Sequence, residues 1–351
     1  PSKGQLSHRN LIINGAMNVA QRSTSESGLG ASAGYFTLDR YRTTFSSTAG
    51  RLTMAQVADV HDGFANAMKF TCTTADTSVG SNEYFILQQK FEGQDLQQLK
   101  KGTSDAEEFT VSFYVKGNAS ATYVVEMYDL DNNRQVGKTF SVTTSWTRVV
   151  LTFPADTTGA LDDDNNASLQ LGIWLHAGSA YTSGTLATSW ISNVSAQRAG
   201  GITSFFDSTD RTFFITGLQL EVGSVATPFE HRTHADELAR CSRYYQKIAE
   251  GNSKAIALCF HYSTTYSDWV LQYPMGPMRT NPSIDMVQGS NYYYLHGGTE
   301  NVYLDGAFII EHGQITQSNV YFDPDGGLTA GGTGYLKTNN NSAYLAISAE
   351  L

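Results

Sequence analysis

The sequence is poor in cysteine, in charge and in long apolar runs, and each shortage excludes a class of protein. The three cysteines, Cys72, Cys241 and Cys259, are odd in number and widely spaced, which indicates buried free thiols and not a disulfide framework. No run of about 18 apolar residues occurs, so no membrane-spanning helix is predicted. The N-terminal sequence PSKGQLSHRN lacks the apolar core of a secretory signal. We therefore expect a chain that is assembled in a reducing cytoplasm without membrane insertion.

Charge and catalytic motifs are also scarce. Only 16% of the 351 residues are charged, the net charge is −10, and the 23 Lys and Arg residues form no cluster that could neutralise a run of phosphates. Nucleic acid and anionic membranes are therefore poor candidate partners. The eight His residues show no HExxH pattern. The chain is not expected to be an enzyme, and no cofactor motif is recognised.

Turn-forming and aromatic residues are abundant instead, with 32 Gly, 19 Tyr and 18 Phe, a composition that suits β structure. Several segments alternate apolar and polar residues with period two, as half-buried strands do. Such segments recur about every dozen residues with turns between them, which predicts an antiparallel β-sandwich, or jelly roll, over residues 35–232. In the segment SLQLGIWLH the predicted core face consists of Leu169, Leu171, Ile173 and Leu175.

The pattern changes after Phe229. Thr233 and Asp236 have the spacing of a capping box. In this motif a hydroxyl accepts a hydrogen bond from a backbone N–H, and a carboxylate interacts favourably with the positive end of the helix dipole. A short helical joint is therefore predicted over residues 233–250. Its apolar stripe either packs against its own domain or packs around a symmetry axis against copies of the chain. The stripe consists of Leu238, Cys241, Tyr245 and Ile248.

The remainder of the chain is again strand-like. The segments AIALCFHYS, DWVLQY, NYYYLH and NVYLDGAFIIEHG are separated by GG, DG and NNN turns. A second small β domain is therefore predicted over residues 251–351, and residues 1–34 are an N-terminal extension. The predicted fold class is all-β: an antiparallel β-sandwich followed by a short helix and a second small β domain.

Outward-facing aromatic residues of the sandwich mark a candidate ligand site. If the leucine-rich face of SLQLGIWLH is core, then Gln170, Trp174 and His176 point away from it. The same alternation exposes Tyr114 and Tyr128 on their own strands. A sugar stacks its apolar face on an aromatic ring while polar neighbours bind its hydroxyls. Trp174 is therefore the predicted stacking platform, with the alternative that another subunit or the N-terminal segment covers this face.

Several sequence blocks stand in a characteristic order. They are LIINGAMNVAQRS with FTLDRY, then ILQQKFEGQDLQQLKKGTSDAEEFTVSFYVKGN, then FFITGLQLEVGSVATPFEHRTHADELARCSRYYQK, and the terminal AEL. Together they resemble bacteriophage tail-fibre and virion structural proteins. The sandwich portion resembles the carbohydrate-binding jelly rolls that are attached to many glycan-active enzymes.

This resemblance implies a protein of the phage particle surface, on the tail, that is assembled in the host cytoplasm. The expected function is that of a tail fibre that attaches to host-surface glycans without catalysis. The expected partners are two further copies in a homotrimer and other virion proteins. The resemblance also implies a structural calcium ion, for which one loop offers Asp162, Asp163 and Asp164.

Two other functions stay open. One is a head-decorating or adaptor protein that has no ligand of its own. The other is a polysaccharide depolymerase, because glycoside hydrolysis needs only two carboxylates at a fixed separation, which sequence spacing does not reveal.

Overall fold

The computed structural model describes residues 8–297, 300–324 and 327–351. The first seven residues of the predicted N-terminal extension lie outside the described residues. The chain divides into an N-terminal unit, residues 1–237 with residue 351, and a C-terminal unit, residues 238–350. Antiparallel strands dominate both units, and the predicted all-β class is confirmed. Within the described ranges, no helix combines the length and apolar character that crossing a membrane requires.

The regular elements of the N-terminal unit are mostly strands. In chain order they are β1 (Ser25–Leu29), β2 (Gly34–Tyr35), β3 (Arg42–Ser46), β4 (Arg51–Val57), β5 (Ala67–Thr74), β6 (Tyr84–Glu92), β7 (Phe109–Gly117), β8 (Ala121–Asp129), β9 (Arg134–Val142), β10 (Thr147–Phe153), β11 (Ala167–Ala177), the one-turn helix α1 (Ser179–Thr182), β12 (Ile191–Ser192) and β13 (Thr212–Val222). Short 3₁₀ helices span Gly93–Asp95, Gln97–Leu99, Ser195–Gln197 and Phe205–Asp207.

These strands form two antiparallel sheets that share one core. The six-stranded sheet has the order β1-β4-β5-β13-β7-β10, and the seven-stranded sheet has the order β12-β9-β8-β11-β6-β3-β2. The chain crosses repeatedly from one sheet to the other, as it does in a jelly roll. Phe113 and Ile215 enter the core from the six-stranded sheet, and Leu171 and Ile173 enter it from the seven-stranded sheet. The predicted β-sandwich is confirmed, with apolar side chains alternating inward.

A buried group of charges joins the end of β8 and the start of β9 to the two loops that carry Lys101 and Asp156. The Lys101 ammonium, whose side chain is 4% exposed, contacts Asp129 and Asp156, whose side chains are 0% and 4% exposed. Arg134 Nε donates to Asp156 at 2.8 Å. Burial raises the pKa of Asp156, but the hydrogen bonds from Arg134 and Lys101 outweigh burial and hold that pKa below its usual value. Asp156 is therefore neutralised by Arg134 and Lys101 together, whereas Asp129 depends on Lys101.

Replacing Lys101 by Ala is expected to lower the free energy of unfolding by about 3–5 kcal/mol, because it leaves the buried Asp129 carboxylate without its counter-ion. Lys100→Ala is the matched control. Lys100 is 52% exposed in its pair with Glu107, and its loss should cost about 1 kcal/mol or less. Urea denaturation at pH 7 measures both variants, and equal costs would contradict this account of the network.

The wild type and Lys101→Ala should also differ in how their stability depends on pH. Because the folded-state pKa of Asp156 is depressed, its contribution to stability is present above the unfolded pKa of about 3.9 and is lost as the pH falls through the lower folded value. The difference in stability between wild type and Lys101→Ala should therefore shrink below about pH 4.

The C-terminal unit is a second β domain, as predicted. Its strands are β14 (Tyr245–Glu250), β15 (Ala255–His261), β16 (Ser267–Gln272), β17 (Ser283–Met286), β18 (Tyr293–Gly297), β19 (Glu300–Leu304), β20 (Ile309–Gly313), β21 (Gln317–Phe322), β22 (Thr333–Thr338) and β23 (Tyr344–Ser348). They form a three-stranded sheet, β14-β23-β17, and a seven-stranded sheet, β19-β18-β22-β15-β16-β21-β20. Trp269 and Leu295 of the larger sheet and Ile347 of the smaller sheet share one core.

The helix between the two β regions is shorter than predicted. The capping contact forms as expected, since Thr233 Oγ1 accepts from the Asp236 N–H at 3.2 Å. The helix α2 (His234–Ser242) then ends, and β14 begins at Tyr245. The prediction of a helix up to residue 250 is therefore wrong beyond Ser242. Pairing of β14 with β23 satisfies the backbone of this segment and overrides a helical spacing that is too short to be stable alone.

Candidate functional site

Trp174 is not the exposed platform that the sequence predicts. It lies on β11 on the face opposite to the sandwich core, as the alternation requires, but its side chain is 0% exposed. Part of the long connection between β11 and β13 crosses this face and covers it. The residues packed around Trp174 form a small separate core: Ile86, Val124 and Ala199, with Tyr84, Ala177, Tyr181, Leu186 and Ile202 beside them.

A buried ion pair occupies the polar groups of this covered face. The Glu126 side chain, 1% exposed, accepts from the Trp174 indole N–H at 2.9 Å and from Arg198 through two hydrogen bonds of 2.7 Å. The Arg198 guanidinium lies 4.9 Å from the Trp174 ring centroid and 4.5 Å from that of Tyr128. Burial lowers the pKa of Arg198, but the Glu126 carboxylate outweighs burial and raises it above its usual value. Arg198 therefore stays charged, and the Trp174 indole already has its partners within the chain.

Trp174→Ala is expected to destabilise the N-terminal unit by about 3–5 kcal/mol, because it removes a fully buried indole and leaves a cavity. The corresponding decrease in melting temperature is about 6–20 °C. Trp146→Ala, at a half-buried position of the sandwich, is the matched control and should cost less. Differential scanning calorimetry checks both variants, and an unchanged melting temperature for Trp174→Ala would contradict the core position.

The other residues predicted around Trp174 do not form a common surface. Gln170 is 5% exposed and His176 is 0% exposed. Tyr128 is half-buried. Tyr114 belongs to β7 in the other sheet, where its ring centroid lies 4.1 Å from that of His61. The predicted ligand site in the sandwich is therefore wrong as a surface, because three of its members lie under a covering segment or in the core and a fourth faces elsewhere.

The predicted apolar stripe of the helical joint is not a single seam. Leu238 and Cys241 lie in α2, whereas Tyr245 and Ile248 lie in β14. Cys241 and Tyr245 are 0% and 1% exposed, and Ile248 packs against the core of the C-terminal unit. Side chains that are buried within one chain are not available to a neighbouring subunit. The prediction of a subunit interface along this stripe is therefore wrong.

The acidic loop does not gather its carboxylates around one point. Asp162 and Asp163 are exposed, and Asp164 Oδ1 accepts from the Asn166 N–H at 2.8 Å. The geometry of this loop does not support the predicted metal site. Among the described residues, three ligand atoms of His, Cys, Asp or Glu come within 4.8 Å of one another at a different place: Asp76, Glu83 and His176.

A cavity in the C-terminal unit brings aromatic and acidic side chains together. Its volume is about 550 Å³, and it is lined by Tyr262, Ser263, Tyr266, Asp268 and Glu311. The turn between β15 and β16 supplies Tyr262, Ser263 and Tyr266. A hydrogen bond of 3.3 Å from the Ser263 N–H to the Tyr266 carbonyl oxygen closes this turn. Glu311 comes from β20, the edge strand that is separated from β16 by β21 alone. The cavity therefore depends on strand order and not on one local motif.

Two tyrosine rings, Tyr262 and Tyr266, form the apolar part of this site, which we call the tyrosine cavity. Tyr266 stacks on Tyr321 of β21, with ring centroids 4.9 Å apart and planes inclined by 20°. Tyr262 meets Tyr266 edge-on at 6.0 Å and is 74% exposed. An exposed ring that is held by its neighbours loses little side-chain entropy when a ligand binds. Tyr262 therefore has the properties of a stacking platform that Trp174 lacks.

Carboxylates supply the polar part of the tyrosine cavity. Glu311 Oε2 accepts from the Tyr266 hydroxyl at 3.1 Å and from Asn319 Nδ2 at 3.3 Å. Partial burial, together with the hydrogen bond to Glu311 and its charge, raises the pKa of Tyr266 to about 12. The Tyr266 hydroxyl therefore remains a donor at neutral pH and orients the Glu311 carboxylate. Apolar ring faces beside fixed acceptors suit a ligand that has both an apolar face and several hydroxyl groups.

The sequence analysis does not predict the tyrosine cavity. The available signal is the pair of tyrosines that flank a Ser-Thr-Thr turn in HYSTTYSDW. Glu311 lies 45 residues after Tyr266, and only the order of β16, β21 and β20 brings it close. No spacing rule in the sequence connects these positions.

Comparison with known proteins gives structural alignments and no match of sequence. No family model matches the chain, and no curated protein matches it. A solved structure described as "CBM4 structure and function" aligns with 60% of this chain and 97% of its own, with 13% identity and a TM-score of 0.31. The CBM22-1 xylan-binding domain from Paenibacillus barcinonensis Xyn10C aligns with 64% of this chain and 99% of its own, with 11% identity and a TM-score of 0.31. A family 30 carbohydrate-binding module aligns with 65% and 94%, with 11% identity and a TM-score of 0.33. The assignment of the β-sandwich stands on the strand order given above.

Proposed function

We propose that this chain is a phage virion surface protein, a tail fibre that attaches to host-surface glycans without catalysis. The resemblance of its sequence blocks to tail-fibre proteins supports the setting. The tyrosine cavity carries the proposal of glycan binding, because it combines an exposed aromatic ring with oriented carboxylates. The proposed location is the surface of the particle, on the tail, with other virion proteins as partners and assembly in the host cytoplasm.

The dimensions and chemistry of the tyrosine cavity suit a short stretch of polysaccharide. Its volume of about 550 Å³ lies within the range of ordinary ligand sites. A pyranose ring stacked on Tyr262 would bring its hydroxyl groups towards Glu311 and Asp268. Carboxylates accept hydrogen bonds from hydroxyl groups strongly. Recognition by ring stacking and by hydrogen bonds to carboxylates requires no bond-breaking step. Attachment through many fibres adds avidity to the weak affinity of a single site.

Tyr262→Ala is expected to weaken glycan binding by on the order of 1–3 kcal/mol, which is about 5-fold to 150-fold in Kd. Glu311→Gln should also weaken binding, because an amide is a poorer acceptor than a carboxylate. Tyr303→Ala is the matched control, since Tyr303 is 40% exposed on β19 of the same sheet and lies outside the cavity. A glycan panel and host-cell retention, both with isolated protein, measure the effect.

Three outcomes distinguish the candidate functions. Binding that is unchanged in both cavity variants would contradict the tyrosine cavity as the adhesion site. Release of reducing ends from host polysaccharide by the wild type would favour the depolymerase. No retention by any glycan or host cell, together with labelling of the head and not the tail by antibodies in electron micrographs, would favour the head-decorating or adaptor protein.

An apolar patch on the C-terminal unit supports the proposed homotrimer. Leu258, Phe260, Val270 and Tyr335 are 61%, 49%, 58% and 54% exposed. Strand pairing places Leu258 opposite Tyr335 and Phe260 opposite Asp268, two residues before Val270, so the four share one face of the sheet. Contiguous exposed apolar residues of this kind are typical of an association surface. Packing of identical copies would remove the patch from water.

Light scattering is expected to give a trimer for the wild type and a smaller species for Leu258→Asp, because the new carboxylate would be desolvated at the interface. Val225→Asp is the matched control, as Val225 is 58% exposed in a loop of the N-terminal unit. A wild-type monomer at micromolar concentration would contradict the trimer. A trimer that persists in Leu258→Asp would contradict the role of the patch.

A further inference from the structure

Three potential metal ligands converge inside the N-terminal unit. His176 lies near the end of β11, Asp76 follows β5, and Glu83 immediately precedes β6. One ligand atom from each lies within 4.8 Å of the other two. The site is thus formed by the end of β11, in the seven-stranded sheet, and by both ends of the connection between β5 and β6. This connection runs from the six-stranded sheet to the seven-stranded sheet. We call this group the His176 cluster.

The buried imidazole of His176 has one nitrogen that lacks a hydrogen-bond partner. His176 is 0% exposed, and its Nδ1 lies 2.8 Å from Ser204 Oγ. Its Nε2 makes no hydrogen bond, and neither does the Glu83 Oε2 atom that lies 3.6 Å away. Buried polar atoms without partners are rare because each costs free energy. The direction of Nε2 into a group of carboxylates therefore needs a physical explanation.

An ion pair between His176 and Glu83 does not supply that explanation. At 3.6 Å the contact between His176 Nε2 and Glu83 Oε2 is too long for a hydrogen bond. If a neutral imidazole carries its proton on Nδ1 and donates to Ser204, then its Nε2 lone pair faces the Glu83 carboxylate. Two electron pairs that face each other without water repel, and a cation between them removes the conflict.

Asp76 is held in place by its own hydrogen bonds. It is 5% exposed, and Asp76 Oδ2 accepts from Thr48 Oγ1 and from the Ala49 N–H, each at 2.8 Å. These hydrogen bonds fix the position of the Asp76 carboxylate beside His176.

The connection that carries Glu83 is also fixed against β11. The Gly178 N–H donates to the Glu83 carbonyl oxygen at 2.8 Å. A Cβ atom on Gly178 would lie 1.9 Å from the Gly80 carbonyl oxygen, so only glycine permits this approach. The backbone that carries Glu83 is thus held firmly against Gly178 at the end of β11.

From this arrangement we infer that the His176 cluster binds one Zn²⁺ ion through His176 Nε2, Glu83 and Asp76. Zinc accepts imidazole and carboxylate ligands at about 2.0–2.2 Å, which puts two ligands of one tetrahedral ion about 3.4 Å apart. The Nε2 to Oε2 distance of 3.6 Å already matches that separation. Calcium and magnesium take oxygen ligands and would leave the imidazole unused. Ser204 Oγ on Nδ1 fits the partner that normally orients a metal-bound imidazole.

Binding would fasten the crossing connection to the seven-stranded sheet. The ion would link the end of β11 to the segment between β5 and β6, in addition to the backbone hydrogen bonds that already join them. A ligand that binds only the folded state stabilises it by mass action. The inferred role is therefore structural reinforcement of the sandwich, independent of glycan binding by the other unit.

Chelator-treated full-length protein, titrated with ZnCl₂ in a calorimeter, should bind one equivalent per chain. Its melting temperature should rise by about 5–10 °C at a free Zn²⁺ concentration about 100 times the Kd. Co²⁺ should give the visible absorption of a low-coordinate site with a nitrogen ligand. CaCl₂ and MgCl₂ at equal concentration should produce neither effect.

Ligand variants assign the site. Removing the residue that orients a metal ligand costs about 10- to 100-fold in metal affinity, and Ser204→Ala should fall within that range. Glu83→Gln and His176→Gln remove the ligands themselves and should each weaken Zn²⁺ binding by more. His296→Gln and Glu26→Gln are matched controls at exposed positions and should bind as the wild type does. If His176→Gln does not fold, Glu83→Gln still decides, because its side chain is 14% exposed.

Three results would overturn the inference. They are the absence of Zn²⁺ binding by folded wild-type protein, Zn²⁺ binding that Glu83→Gln leaves unchanged, and an equal rise of the melting temperature with CaCl₂. None of these results depends on glycan retention, so the metal site and the proposed adhesion are tested separately.

Discussion

The buried carboxylate of Glu126 is the constraint on which the outer face of the N-terminal unit depends. A carboxylate that is 1% exposed is tolerated only with a counter-ion and hydrogen bonds, because desolvation of an unpaired charge costs several kcal/mol. Arg198 provides both, and it comes from the long connection that covers the seven-stranded sheet. The same guanidinium lies over Trp174 and Tyr128. Charge neutralisation, ring packing and the path of the covering segment are therefore one arrangement, and the face is closed to ligands as a result.

The sequence predicts which face of a sheet each side chain points to better than it predicts which other segment covers that face. Period-two alternation correctly assigns Leu171 and Ile173 to the core and Trp174 to the opposite face. Alternation records only the side to which a residue points, and it contains no information on whether another segment covers that side. The covering connection has short elements and little periodicity, so nothing in its own sequence indicates where it packs. The error at Trp174 follows from this limit.

Long-range pairing explains the remaining differences. Tyr245 fits a helical stripe when it is considered with its neighbours in sequence, yet it pairs with Ser348 about a hundred residues later. The tyrosine cavity has the same origin, since Asp268 is placed opposite Tyr321, and Tyr321 opposite Ile309, by the order of three strands. Local patterns establish that these segments are strands. Which strands become neighbours is decided by packing of the whole unit, and a site assembled from neighbours is therefore not visible in the sequence.

The distribution of satisfied and unsatisfied groups separates scaffold from site in this chain. Trp174 has its indole N–H bonded to Glu126 and its ring against Arg198, so binding a ligand there would first require breaking contacts that stabilise the fold. Tyr262 presents a ring that is 74% exposed, and a ligand can cover it without displacing protein. His176 Nε2 is buried without a partner, and here binding an ion would remove an existing cost. The free energy available to a ligand is therefore greatest where the chain has not already satisfied its own groups, and this criterion favours the tyrosine cavity and the His176 cluster over the covered face of β11.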